Sequence, residues 1–179
     1  MEDKPQSKDN AHGTQFSQSK IKTVNLALTG VLAGVYGVAT FALGIVSFGI
    51  LNLRLTNILL GVVPIFGWPG VFGIALGVLL GNFASPLGPI DLLSAFFSLI
   101  GLSAIHLLRK RSVPAGLAIY DLILSLWVSF ELSFVYRLPY LPTLYVVIAG
   151  MTLVLALAYF FYLALLRTGL RKRVESVLK

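Results

Sequence analysis

The chain has 179 residues, of which 57% are hydrophobic and 12% charged, and it contains no cysteine. A soluble domain carries about 25% charged residues, so this chain lacks the polar surface to stay in water, which excludes a cytosolic enzyme, a secreted disulfide scaffold and a disordered protein. The formal net charge of +7 raises nucleic acid as a partner, but the placement of the charges argues for a lipid bilayer instead.

Residues 1–22 are polar, hold Lys4, Lys8, Lys20 and Lys22, and show no apolar periodicity. They read as a disordered cytoplasmic tail. No short apolar core with a small-residue cleavage site opens the chain, so the first apolar run is expected to act as an uncleaved signal anchor. Crossing the hydrocarbon core takes about 20 apolar residues in a helix. Cutting the remainder at charges, prolines and glycine clusters gives six spans, at 23–48, 50–66, 71–84, 90–108, 113–135 and 141–166. Gly67-Trp68-Pro69-Gly70 ends the second and Ser85-Pro86-Leu87-Gly88-Pro89 ends the third. These two are short, and a re-entrant pair with four full crossings is the other way to cut them. A basic cytoplasmic tail, 167–179, closes the chain.

Lysine and arginine collect in cytoplasmic loops. With six spans, Lys20, Lys22, Arg109, Lys110, Arg111, Arg167, Arg171, Lys172 and Arg173 share one side, while Arg54 and Arg137 fall on the other. The expected fold is therefore an all-α membrane protein, a six-transmembrane-helix bundle with both termini cytoplasmic. The basic excess then serves topology and attraction to anionic lipid heads, and no nucleic-acid partner is expected.

Along the first span, Ala27, Gly30, Ala33, Gly34, Gly37 and Gly44 make a run of small residues at helical spacings. Such residues let helix backbones approach closely in lipid. Packing inside the bundle and docking of another membrane subunit are both open readings of Gly30, Ala33, Gly34 and Gly37.

Charged residues inside spans are costly and point to function. Arg54, at the start of the second span, is either an anchor at the interface or a residue facing an outer cavity. Asp91 opens the fourth span, where a carboxylate offsets unpaired helix N–H groups; its expected role is structural, with pairing to Arg54 available. Asn82, at the end of the third span, caps the helix or contacts a ligand. In the fifth span Tyr120, Leu124, Trp127 and Glu131 share a face. An aromatic plane beside a carboxylate suits a flat heterocycle or a cation, whereas the bland reading has Trp127 facing lipid and Glu131 at the interface. Asp121, about 100° around the helix from Tyr120, reads as a structural hydrogen-bonding residue. His106 is a lone histidine and makes no metal site by itself. Tyr136, Arg137, Tyr140 and Tyr145 resemble an interfacial belt, as does Trp68 at the other side. No phosphate loop, HExxH or GxSxG motif is present. Neither a catalytic residue, a metal nor a cofactor is expected. Six spans would bring Arg54, Asn82, Asp91, Glu131 and Tyr136 to the outer face, with Trp127 below.

The segments Asn52-Leu53-Arg54-Leu55-Thr56-Asn57, Gly73 to Asn82 (GIALGVLLGN) and Leu87-Gly88-Pro89-Ile90-Asp91 resemble the queuosine-precursor transporter (QueT) family. Leu138-Pro139-Tyr140 followed by Leu144-Tyr145-Val146-Val147 is similar in the same order. The resemblance runs from about Leu26 to Ala156. It implies a substrate-binding (S) component of an energy-coupling-factor transporter: a six-helix membrane subunit that captures a micronutrient outside and docks on a transmembrane coupling subunit with two ATPase subunits. ATP chemistry would then come from the partners. The resemblance would place acidic residues where this chain has Asn57 and Met151, leaving Glu131 and Asp121 as replacements. The expected substrate contacts are Arg54, Asn57, Asn82, Trp127 and Glu131. Rival readings are an S component for another vitamin-like substrate, and a small membrane scaffold or accessory subunit without a ligand.

Overall fold

The computed structural model describes residues 6–44, 54–170 and 174, with side chains from Ile21 onward. Within them the chain forms six helices: α1 (Gln6–Ala42), α2 (Leu55–Phe66), α3 (Trp68–Asn82), α4 (Gly88–Leu108), α5 (Val113–Tyr136) and α6 (Tyr140–Arg167). Helix α2 starts as a 3-10 helix, Leu55–Val62, and α4 likewise over Gly88–Leu93. From the third span onward the expected spans match these helices to within a few residues; α1 begins well before its expected span and α2 begins after its own. The end of the first expected span, the start of the second, and Arg171, Lys172 and Arg173 lie outside the described residues.

Two local features differ from the sequence pattern. The backbone is helical back to Gln6, although 1–22 offered no apolar stripe; helical hydrogen bonds are local and need none. The break between α2 and α3 is Gly67 alone, at φ 68°. Trp68-Pro69-Gly70 is the first turn of α3, because proline's fixed φ and missing N–H suit a helix start. Pro89 does the same for α4.

Four segments are long and apolar enough to cross a membrane: Ile21–Ala42, Gly88–Leu108, Val113–Tyr136 and Tyr140–Arg167. At 1.5–2.0 Å per residue α2 and α3 each span only about 22 Å, against a hydrocarbon core of about 30 Å. Helix α2 is nevertheless central. It touches α1, α3, α4 and α6, and Thr56, Asn57, Leu60, Gly61, Val62, Val63, Pro64 and Ile65 are all buried. Around it α1 packs on α3, α3 on α4, α4 on α5 and α5 on α6.

The most extensive pairing, α1 with α3, rests on close approach. A Cβ at Gly73, Gly77 or Gly81 would meet Leu32 Cβ at 2.8 Å, Tyr36 Cβ at 2.6 Å or Thr40 Cβ at 2.7 Å. The small-residue stripe of α1 divides accordingly. Ala33 and Gly37 are buried against α3, whereas a Cβ added at Gly30 or Gly34 would find nothing within 4 Å.

Candidate functional site

One end of the bundle gathers polar side chains from four segments. Arg54 stands just before α2, and its carbonyl accepts from Asn57 N to open that helix. Its Nη2 donates to Asp91 Oδ1 at 2.7 Å. Asn82, in the last turn of α3, donates through Nδ2 to Asp91 Oδ1 at 3.0 Å and to the Asp91 carbonyl at 2.7 Å. This ties the α3–α4 turn shut. Residues three apart eclipse in a 3-10 helix, so Ser94 stacks over Asp91, with Oγ 2.8 Å from Oδ1.

Helix α5 supplies the other half. Trp127 and Glu131 are one turn apart and share a face. Ser94 Oγ lies 3.2 and 3.1 Å from the two Glu131 carboxylate oxygens and accepts from Trp127 Nε1 at 3.0 Å. The Trp127 ring stacks on Phe97 of α4, with centroids 4.2 Å apart and planes at 20°.

The arrangement is short of donors. A serine hydroxyl has one proton, yet three carboxylate oxygens surround Ser94 Oγ. Asp91 Oδ2 and Asn82 Oδ1 are buried with no hydrogen-bond partner. The Arg54 guanidinium pairs with Asp91, and both Asp91 and Glu131 are fully buried. Unpaired buried acceptors are costly. Donor groups on a ligand would relieve that cost, and the Trp127–Phe97 pair offers a flat ring a stacking surface.

A second polar group adjoins the first. Tyr36 donates to Asn57 Oδ1 at 2.6 Å, and Asn57 Nδ2 sits 3.1 Å from Met151 Sδ. Thr40 and Thr56 oxygens are 3.2 Å apart. Asn57 and Met151, the two positions singled out in the sequence, thus touch each other across α2 and α6.

Of the residues expected at the site, Arg54, Asn82, Trp127 and Glu131 come together with Asp91. Asn57 lies one turn along, in the Tyr36 group. Tyr136 does not join; it is exposed. Asp121 takes hydrogen bonds from Ser125 and Thr152, in keeping with a structural role, and borders a groove of about 400 Å³ between α5 and α6. Ser94, Phe97 and Tyr36 were missed. The spacing Asp91, Ser94, Phe97 on the opening turns of one helix was the available signal. No group of three or more His, Asp or Glu side chains fit for a metal ion occurs among the described residues.

The model of the family described as QueT transporter matches residues 26–167. No curated protein and no solved structure matches the chain. The match covers most of the sequence, so the chain belongs to the QueT transporter family and is a multi-pass membrane transport protein.

Proposed function

We propose that the chain is the substrate-binding (S) component of an energy-coupling-factor importer in a prokaryotic cell membrane. In this reading all six helices cross or enter the bilayer and both termini are cytoplasmic. The cluster around Ser94 binds a small flat heterocycle from outside, by family a queuosine precursor of the 7-deazaguanine type. A transmembrane coupling subunit and its two ATPase subunits supply the energy. The observation that carries the reading is the surplus of buried acceptors at Asp91, Asn82 and Glu131 beside the Trp127–Phe97 stack. A deazaguanine edge offers paired N–H donors, which a carboxylate accepts side by side. Because Asp91 and Glu131 are fully buried, admission of a ligand requires the side chains around them to move.

Gly30 and Gly34 support the docking part of the reading, since a Cβ on either would meet nothing within 4 Å among the described residues. Ala33 and Gly37 serve docking only indirectly, by seating α1 on α3. Gly34→Leu is expected to leave the isolated chain's thermal stability unchanged and to abolish its co-purification with a coupling subunit; co-purification equal to wild type removes this face from the interface.

A thermal-shift screen of the detergent-purified protein tests the substrate. A ligand at about 100 times its Kd adds roughly 2.7 kcal/mol of stability. A selective shift with 7-deazaguanines, lost in Glu131→Gln, is the expected result. A shift with another heterocycle replaces the substrate and keeps the role, and no shift across nucleobases, vitamins and deazaguanines favours a scaffold.

A further inference from the structure

The opposite end of the bundle holds a second cluster that transport of a heterocycle leaves unused. A Cβ on Gly67 would lie 2.7 Å from Arg109 Nη1 and 3.2 Å from His106 Cε1. The guanidinium therefore folds back over the α2–α3 corner instead of reaching away from the bundle. The His106 ring stands 4.7 Å from the Trp68 ring, and Trp68 stacks on Phe72 at 5.7 Å. Trp68 is 46% exposed, and Phe72, Leu76 and Leu80 continue from it as an exposed stripe along α3.

Among the described side chains the charge at this end is of one sign. Thr29 Oγ1 lies 3.4 Å from the Pro69 carbonyl, which sets Thr29 level with the start of α3 and Lys22 about 10 Å beyond it, at the same end of the bundle. Helix α6 runs with α2: Met151 meets Asn57, and Ala158 and Tyr162 meet Gly61, so Arg167 reaches the Gly67 end. Lys22, Lys110, Arg111 and Arg167 are exposed. Asp91 and Glu131 belong to the other end, and Asp121 is held by Ser125 and Thr152. The Arg109 guanidinium has no hydrogen bond or ion pair among the described residues.

We propose that Arg109, His106 and Trp68 form a binding site for the phosphate head of an anionic phospholipid, with an acyl chain lying along Phe72, Leu76 and Leu80. The guanidinium presents paired donors that match phosphate oxygens. Tryptophan places its N–H at the headgroup level with its ring in the acyl region. His106, wedged between them, fixes their spacing. The order along α3, a cationic head followed by an apolar stripe, is the polarity of a phospholipid. From Trp68 to Leu80 the stripe runs about 18 Å, close to the roughly 15 Å of one leaflet's hydrocarbon. Basic sites between membrane helices hold anionic lipid heads in the same way.

The chain has two tryptophans, so Trp127→Phe leaves Trp68 as the sole tryptophan, excited selectively over tyrosine. This variant is reconstituted in phosphatidylcholine vesicles with an equal fraction of brominated phosphatidylglycerol or brominated phosphatidylcholine. Brominated phosphatidylglycerol is expected to quench Trp68 at least twofold more strongly. Arg109→Gln should remove that preference, while Lys110→Gln with Arg111→Gln should keep most of it. Equal quenching by the two lipids overturns the site. So does a preference that survives Arg109→Gln, or one lost equally in the Lys110/Arg111 pair, which would be diffuse surface attraction. Should Trp127→Phe not insert, wild-type protein with Trp68→Phe as the blank reads the same difference.

Discussion

Asp91 and Asp121 are both acidic residues within apolar helices, and the protein treats them in opposite ways. Asp121 is satisfied close to home: Ser125, one turn along the same helix, bonds one oxygen, and Thr152 on the adjacent α6 bonds the other. Asp91 draws Arg54, Asn82 and Ser94 onto a single oxygen and leaves its second without a partner. Through Ser94 it also meets a second buried carboxylate, Glu131. The first arrangement satisfies itself with two small hydroxyls. The second needs four segments of the chain and still lacks donors. Self-sufficiency fits a structural Asp121, and the shortage is what the proposal of a ligand site at the Asp91–Glu131 cluster rests on.

The largest test removes the guanidinium. Arg54→Met leaves Asp91 buried without its counter-charge, and breaking a buried pair from one side costs about 3–5 kcal/mol. Unfolding in detergent should show that loss. Arg54→Met with Asp91→Leu should recover most of it, because replacing both partners removes the stranded charge. A loss under about 1 kcal/mol in the single variant would mean that the pair is solvated and the cluster open.

Next in size is the effect on binding. A hydrogen bond to a charged group contributes about 1.5–3 kcal/mol, roughly 10- to 150-fold in affinity. Glu131→Gln and Trp127→Ala should each weaken binding of the substrate found by thermal shift by at least tenfold, with the protein still folded by gel filtration. Unchanged affinity in both would take the α5 face out of the site and erase the contrast with Asp121.

Much of this was legible in the sequence, and what was hidden has a common cause. Glycine and proline clusters located five of the helix boundaries well, and polar residues within apolar spans pointed to Arg54, Asn82 and Glu131. The central place of α2 was hidden because lipid tails are as apolar as leucine, so an apolar run does not say whether its neighbours are lipid or protein. Helix pairing was hidden for a similar reason. Gly30 and Gly34 have the spacing of a packing motif and stay open, whereas Gly73, Gly77 and Gly81 carry the α1 contact. Ser94 was hidden by ambiguity, since a serine in a membrane helix commonly bonds its own helix's carbonyl. Ser103 does so, to Leu99 O at 2.7 Å; Ser94 instead bridges three side chains.

That difference between the two serines sets the third effect. Ser94→Ala leaves Asp91 its bonds from Arg54 and Asn82 but strips Glu131 and the Trp127 N–H of the hydroxyl they share. A buried polar group left unpaired costs about 1–3 kcal/mol, so unfolding should register a loss in that range. Ser103→Ala, which frees only a backbone carbonyl already in a helix, should cost about 0.5 kcal/mol or less. Equal losses would mean that Ser94 does not link the ion pair to α5.

The smallest effect belongs to Asp121→Asn, and its smallness is the point. Ser125 and Thr152 are hydroxyls, and a hydroxyl both donates and accepts. When one carboxylate oxygen becomes an amide NH2, the Thr152 or Ser125 hydroxyl turns to accept from it, and both contacts survive in reversed sense. The net change should stay within about 1 kcal/mol, and ligand affinity should not move. Asp91→Asn also keeps an oxygen that Arg54, Asn82 and Ser94 can share, with its NH2 in place of the unpartnered Oδ2. It removes the counter-charge of a buried guanidinium, however, which Asp121→Asn does not, and it should destabilise the protein more than Asp121→Asn does in the same unfolding assay. If the two substitutions cost the same, the pairing of Arg54 with Asp91 has no more hold on the fold than two hydroxyls have on Asp121.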